Sequence, residues 1–296
     1  MLSVLIPTYN YNVYPLVKEI HKQLSKQGIE FEIRIYEDGS TIQGEVLDRL
    51  KELPGVIYNK FKENKGRTFI RHLLAEDAVY ENLLFLDADM FPKDRFFASK
   101  LLKEIEKNTS DVYFGGVNLP PVPPSPNKIL RWKYGKEREA VPVEERKKRP
   151  YKSLISGAIL IKKEKFLPVS EELKKYNRYG MDIYFSYLLK KNNIKVHHYN
   201  NPIMHLGLED NRVFIKKTEQ AVETLHFLIL NQLIPADYSR LGKTYIKVKK
   251  WKVCGLLKGF FSIARSLCLK NLYSTNPSLA IFDLYKLCYL CKINSI

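Results

Sequence analysis

Leu83-Leu84-Phe85-Leu86-Asp87-Ala88-Asp89-Met90 runs four apolar residues straight into two carboxylates one residue apart. The apolar run predicts a buried central strand, with the acids at its C-terminal end. In an open parallel α/β sheet, ligands bind beyond the carboxyl ends of the strands, so acids placed there face a site and not a core. Neither acid can be buried unpaired at such an edge. Two carboxylates this close repel, and a shared proton or a divalent cation relieves the repulsion. Hard oxygen ligands suit Mg²⁺ or Mn²⁺, and a metal-bound diphosphate is the ligand expected here. Taken alone, an Asp-X-Asp is also an ordinary loop or helix cap, so the rest of the chain has to carry the reading.

Outward from this stretch, the N-terminal third alternates between two periodicities. Leu2-Ser-Val-Leu-Ile-Pro7 is a β-branched strand ended by a proline that cannot donate to a sheet ladder, and Thr8-Tyr9-Asn10 form its loop. Leu16, Val17, Ile20 and Leu24 recur at helical spacing over 14–27, closed by Gly28; Phe31 to Tyr36 then alternates as a strand and empties into Glu37-Asp38-Gly39-Ser40. A helix over 44–53 and a strand over 56–61 follow. Asn64-Lys-Gly66-Arg67 opens the next helix, which carries Arg71, and basic side chains near a helix N-terminus suit a phosphate. This strand-helix-strand rhythm predicts a mostly parallel sheet flanked by helices.

Four pieces, Ser3 to Asn10, Glu37 to Ser40, Asn64 to His72, and Asp87-Ala88-Asp89, stand in the order found in family 2 glycosyltransferases, which the chain resembles over its first third. The resemblance implies the GT-A fold, a Rossmann-like, mostly parallel sheet flanked by helices, here with a C-terminal helical extension. It implies a nucleotide held by Pro7, Thr8, Tyr9, Asp38, Asn64, Gly66, Arg67, Arg71 and Asp87, and a metal, Mn²⁺ or Mg²⁺, on Asp89. An acid at position 38 suits a nucleotide base because a carboxylate accepts from a ring N–H. Ile70 and His72 depart from the family's Ala and second Asn, and Glu37 stands where Asp is commoner.

Beyond the acids, a helix over 95–107 and a strand over 111–117 precede Pro120-Pro-Val-Pro-Pro-Ser-Pro126 and a charged run to Lys152. Prolines at that density forbid a sheet or helix interior, so an extended connection, a short helix around 129–134, and a solvated or acceptor-covering loop are expected. The stretch 153–161 contains Ser156-Gly157-Ala158 before a β-branched run, and the resemblance assigns Gly157 and Ala158 to the sugar and acceptor pocket. Gly180-Met181-Asp182 opens a helix. As chemistry alone, Asp182 complements a helix dipole; the resemblance makes it the catalytic base, with Gly180 and Met181 on the acceptor side and Met181 replacing the family's usual acid. His205 follows in a turn, where the family often supplies a metal ligand, while His197 and His198 read as strand residues. A long helix is expected over 210–232.

The resemblance implies an inverting glycosyltransferase that moves a sugar from a nucleotide-diphosphate donor, a UDP-sugar being expected, to an acceptor hydroxyl of a glycan or lipid-linked saccharide. Two domains are expected: 1–235, divided into a nucleotide half to residue 117 and an acceptor half from 118, and a basic helical tail over 236–296.

Composition bounds these readings. With 296 residues, 45% apolar and 12% aromatic, the chain can bury a large core. The absence of a long apolar run and of a leader-like N-terminus predicts a cytoplasmic protein without a membrane span. All four cysteines fall after residue 250, unlike a disulfide framework, and Cys288-Tyr-Leu-Cys291 reads as an apolar helix face and not a zinc site. From Arg240 onward there are eleven Lys or Arg against the single Asp283, ten of the seventeen net positive charges. In the tail, Val253, Leu256, Leu257, Phe260, Phe261, Ala264 and Leu267 predict one apolar face of a helix beside the basic run from Lys243 to Lys252, suited either to an anionic membrane surface or to packing on the catalytic domain. A nucleotidyltransferase is the enzyme alternative, but such enzymes open on a Gly-rich phosphate loop and Ile6-Pro7-Thr8-Tyr9 has no glycine. A nucleic-acid-binding protein is the other; no nucleic acid is expected, because the aromatics lie within apolar strands and helices and are not interleaved with the lysines.

Overall fold

The computed structural model describes residues 1–41, 46–152 and 154–294. The first strand, β1 (Leu2–Thr8), is buried along nearly its whole length, as a β-branched strand flanked on both edges must be. It runs parallel to β2 (Phe31–Glu37) on one side and to β4 (Asn82–Leu86) on the other, with Leu5 opposite both Arg34 and Phe85. β3 (Val56–Lys60) extends the sheet beyond β2. The connecting helices are α1 (Tyr14–Ser25), α2 (Val46–Lys51) and α3 (Arg67–Asp77). The predicted start of the second helix, at Gly44 and Glu45, lies outside the described residues.

The run that organises the sequence is the central strand: Leu83, Leu84, Phe85 and Leu86 are all buried, a contribution of about 1.5–3 kcal/mol for each such side chain. The seven-stranded sheet has the order β3-β2-β1-β4-β8-β6-β9, completed by β6 (Val112–Phe114), β8 (Ala158–Lys162) and β9 (Val196–His198). The chain order reverses between β1 and β4, which makes their carboxyl ends a topological switch point. β8 is antiparallel to both β4 and β6, so the sheet is mixed, with Leu86 paired to Ala158. A second sheet of very short strands, in the order β5-β10-β7, uses β5 (Met90–Phe91), β7 (Val117–Asn118) and β10 (Ile203–His205). The predicted strand over 111–117 is thus two strands in two sheets, broken at Gly115 and Gly116.

The remaining helices are α4 (Phe97–Lys107), α5 (Ile129–Tyr134), α6 (Val143–Lys147), α7 (Lys163–Leu173), α8 (Asp182–Lys191), α9 (Asn211–Leu230), α10 (Arg240–Lys250), α11 (Cys254–Leu272) and α12 (Leu279–Ile293). α5 falls where the sequence predicts a short helix after the prolines. Residues 1–120, 140–177 and 188–207 form one compact unit, holding both sheets. Within it the charged run to Lys152 is not wholly solvated: Arg146 is buried and donates to the carbonyls of Phe114, Gly115, Val141 and Tyr199. A guanidinium with five donors can satisfy several backbone acceptors at once, which is what makes its burial tolerable.

Residues 121–139, 178–187 and 208–296 form the second unit. Its core joins Leu130 of α5, Phe214 and Ile215 of α9, Phe261, Cys268 and Leu272 of α11, and Phe282, Tyr285 and Cys288 of α12. Asp210 caps α9 by accepting the Arg212 backbone N–H at 2.8 Å. Glu219 on α9 ties the later helices together, accepting from the Tyr285 hydroxyl at 2.5 Å and from Arg265 at 3.2 Å. No helix among the described residues is long and apolar enough to cross a membrane.

Candidate active site

Three parallel strands, β1, β2 and β4, end along one edge of the first unit, and the residues singled out in the sequence follow those ends. After β1, Thr8 is buried while Tyr9 is exposed. After β2, the Asp38 backbone N–H donates to the Thr8 carbonyl at 2.9 Å, joining the two strand ends. The Asp38 carboxylate accepts the Lys65 N–H at 2.6 Å and the Gly66 N–H at 3.0 Å, one on each oxygen. Asn64 Nδ2 donates to the Asp38 carbonyl at 3.1 Å. Asp38 therefore fastens the entry of α3 to the end of β2. A carboxylate offers about four acceptor positions, of which these two N–H groups take two.

α3 then delivers two arginines to the acid pair. Arg67 Nη2 lies 2.6 Å from Asp87 Oδ2 and Arg71 Nη2 lies 2.5 Å from Asp87 Oδ1, a guanidinium on each oxygen. Burial acts to raise the Asp87 carboxyl, but the Arg67 and Arg71 charges outweigh it and hold the group below the usual carboxylate range. Arg71 is nearly buried and Arg67 about half exposed. A guanidinium carries five N–H donors in a planar fork, a geometry suited to carboxylate and phosphate oxygens. The two departures from the family pattern on this helix do not face Asp87. Ile70 is fully buried, and His72 is held by Ser170 Oγ at 2.9 Å and Lys174 Nζ at 2.8 Å, both on or beside α7. These two positions belong to the packing of α3 on α7.

The second acid has a different partner. Met90 pairs with His205 across β5 and β10, which carries the imidazole to the preceding Asp89, and His205 Nε2 lies 3.1 Å from Asp89 Oδ2. The Leu206 N–H donates to the Asp89 carbonyl at 2.9 Å, fixing the same turn. Among the described residues no cluster of three or more His, Cys, Asp or Glu is placed to hold a metal. Asp89 and His205 are nevertheless a carboxylate and an imidazole at one point, and Mg²⁺ or Mn²⁺ commonly takes one or two protein ligands with substrate phosphates and water completing the shell. The donor set fits such an ion.

Glycines line both acids. A Cβ on Gly157 would overlap the Asp87 carboxylate, and one on Gly207 would overlap that of Asp89. The Asp87 N–H donates to the Gly157 carbonyl at 2.7 Å, so β8 supports the turn that presents the acids. Gly207 was not singled out by sequence reasoning; its only signal is its place two residues after His205. Tyr11 was also missed. Burial, and after it the Asp89 charge, push its phenol up, which places it in the field of that acid.

Of the remaining predicted residues, Pro7 of β1 lies opposite Tyr36 of β2, and Ala158 begins β8, all in the first unit. Gly180, Met181 and Asp182 belong to the second. There Gly180 has φ +88° and rests against Ala221, Met181 is buried, and Asp182 is the first residue of α8.

Residues 3–158, more than half of the chain, match Glycosyl transferase family 2, and the chain belongs to that family. Two solved structures have a similar fold. TarS of S. aureus aligns over 97% of this chain at 18% identity with a TM-score of 0.51; this chain spans about half of TarS, 54%. The mannosyltransferase PcManGT from Pyrobaculum calidifontis, solved in complex with GDP-Man and Mn²⁺, aligns over 99% of this chain and 86% of its own at 13% identity, TM-score 0.55. At such identities the likeness is one of fold. No curated protein matches the sequence.

Proposed function

We propose that the protein transfers a sugar from a nucleotide-diphosphate donor to an acceptor hydroxyl, with inversion at the anomeric carbon. The observation that carries this reading is the division of labour within Asp87-Ala88-Asp89: one acid held by Arg67 and Arg71, its neighbour by His205, at the carboxyl edge of a family 2 sheet. Guanidiniums beside a carboxylate-imidazole pair suit a diphosphate that carries a metal. The GDP-Man and Mn²⁺ bound by the Pyrobaculum enzyme support a sugar nucleotide and a divalent metal here.

In this reading the loop of Pro7, Thr8 and Tyr9, together with Asp38, Asn64 and Gly66, receives the nucleoside, and Arg67 and Arg71 bind the diphosphate oxygens. Asp87 orients the arginines and meets the ribose. Asp89 and His205 would hold Mn²⁺ or Mg²⁺, which when bound neutralises charge on the departing phosphate. Gly157, against the Asp87 carboxylate, and Ala158 border the sugar; Gly180 and Met181 are assigned to the acceptor side. Asp182 takes the proton of the acceptor hydroxyl as its oxygen attacks the anomeric carbon. The bond from that carbon to the phosphate oxygen breaks, and the electron pair leaves with the nucleoside diphosphate. General-base assistance of this kind contributes about 10²–10⁴-fold. A glycan or lipid-linked saccharide, met on the cytoplasmic side, is the acceptor class in this reading.

The test is a donor-hydrolysis panel of UDP- and GDP-linked hexoses with Mn²⁺, with Mg²⁺, and with chelator. Metal-dependent release of one nucleoside diphosphate is expected, and release of none would overturn the reading. Formation of a sugar nucleotide from sugar phosphate and nucleoside triphosphate would instead establish a nucleotidyltransferase.

A further inference from the structure

α11 has two apolar faces, and only one of them is used inside the protein. Phe261, Ala264, Cys268 and Leu272 are buried, with Leu257 packed against them, all within the core of the second unit. Leu256, Phe260, Ile263 and Leu267 follow the spacing i, i+4, i+7, i+11, which 3.6 residues per turn gathers on a different side of the same helix. They are exposed to 75%, 45%, 83% and 68%. The single apolar face expected from the sequence is therefore split, with Leu256, Phe260 and Leu267 outside and Phe261 and Ala264 inside. Trp251, in the turn before α11, is 70% exposed.

The chain on either side of this stripe is strongly basic. Between Asp237 and Asp283 the chain contains no acid, and Lys243, Lys247, Lys249, Lys250, Lys252, Lys258 and Lys270 are all exposed. We infer that the exposed stripe of α11, with Trp251 and the lysines of α10, is a docking surface for an anionic lipid bilayer, on which the helix lies without crossing it.

Three features favour this occupant. Leucine, isoleucine and phenylalanine on one stripe supply the apolar face that enters the acyl boundary, and a tryptophan beside it suits the headgroup layer. Each lysine near an anionic leaflet adds attraction. A second copy of the chain, docked through the same face about a two-fold axis, would set these lysine runs against each other. The buried face of α11 is already packed against α12, so the stripe is preformed and no helix has to fold on binding. The inference goes beyond the proposed transfer reaction, and none of the residues assigned to that reaction takes part in it.

The test is co-sedimentation of the full chain with vesicles. Binding is expected to phosphatidylcholine vesicles carrying about 30% phosphatidylglycerol at about 50 mM salt, weakening as salt rises past about 300 mM. Ile263→Ser with Leu267→Ser should reduce that binding about tenfold or more with an unchanged melting temperature, since both positions are exposed. Lys249→Gln with Lys250→Gln should reduce it without touching the stripe, which keeps the test decisive if the serine variant folds poorly. Absence of binding by the wild type, or wild-type binding by a folded serine variant, would overturn the inference. So would a dimer in sedimentation velocity that dissociates on introducing the two serines, because the occupant would then be a second copy.

Discussion

The Asp89 carboxylate fills the space into which a Cβ on Gly207 would project. The acid is thus placed from two sides, by the His205 imidazole and by the backbone of Gly207. Gly207→Ala should turn the carboxylate away from His205 and weaken Mn²⁺-dependent nucleotide binding by about 10–100-fold, the range usual for groups that orient a metal ligand. Because the overlap reaches the Asp89 Cβ at 2.6 Å as well as the carboxylate, the turn must shift, and a lower melting temperature is expected beside the loss of affinity. Calorimetric titration of GDP and UDP with Mn²⁺ reads the effect, and unchanged affinity would remove Gly207 from the site.

Asp89→Ala removes the proposed metal ligand itself. Nucleotide should no longer raise the melting temperature in the presence of Mn²⁺, while the melting temperature without metal stays close to that of the wild type, the partly exposed acid having little part in the core. A thermal-shift series with nucleotide, Mn²⁺ and chelator measures both. Full stabilisation by nucleotide and Mn²⁺ in the variant would refute the assignment.

Asp182→Asn separates catalysis from binding. Asparagine keeps the shape of the side chain at the start of α8 but accepts no proton at neutral pH. Transfer should fall by about 10²–10⁴-fold with nucleotide and metal affinities intact. If Asp182 served only the helix end, melting temperature would drop and turnover per folded molecule would persist. Transfer rate, affinity and melting temperature on this one protein distinguish the two.

A fourth expectation concerns acid stability. His198 is buried, its Nε2 donating to the Pro150 carbonyl at 2.8 Å and its Nδ1 receiving Arg146 at 3.0 Å. Burial first, and the neighbouring Arg146 and His197 charges after it, push its pKa down to about 4, the Pro150 carbonyl only partly opposing this. Below pH 6.5 the unfolded chain binds a proton that the folded chain refuses until about pH 4. Stability therefore falls as pH drops through that window, by about 3 kcal/mol at most, and this contribution falls no further below it. Urea unfolding of wild type and His198→Gln across the window should show the gap between them change by this amount; parallel curves would contradict it.

Much of the first unit could be read in the sequence because its strands are long enough to have a period. Leu83 to Leu86 announces a central strand, and the two acids that follow mark where it ends. The direction of β8 could not be read, since a β-branched run carries no sign of whether its neighbour is parallel. Strands of two or three residues, such as Met90–Phe91 and Ile203–His205, have no period at all, yet they bring His205 to Asp89. Arg146 was hidden in a charged run, where pattern alone cannot tell a guanidinium that gathers carbonyls from one in water. In the tail, a helix with two apolar stripes gives the same residue spacing as one broad stripe, and only packing separates Phe261 from Phe260.

The pairing of Asp89 with His205 spans 116 positions of chain. Local helices form early, whereas contacts of such separation come late and slow the search. Asp87 likewise waits for Gly157. A nascent chain emerging from the ribosome will present both aspartates long before it can seat them. Under the proposed function, synthesis must pass Gly207 before the donor pocket exists, so a product truncated ahead of β10 would carry the whole Asp-Ala-Asp motif and lack the proposed sugar-nucleotide site that could protect it from degradation.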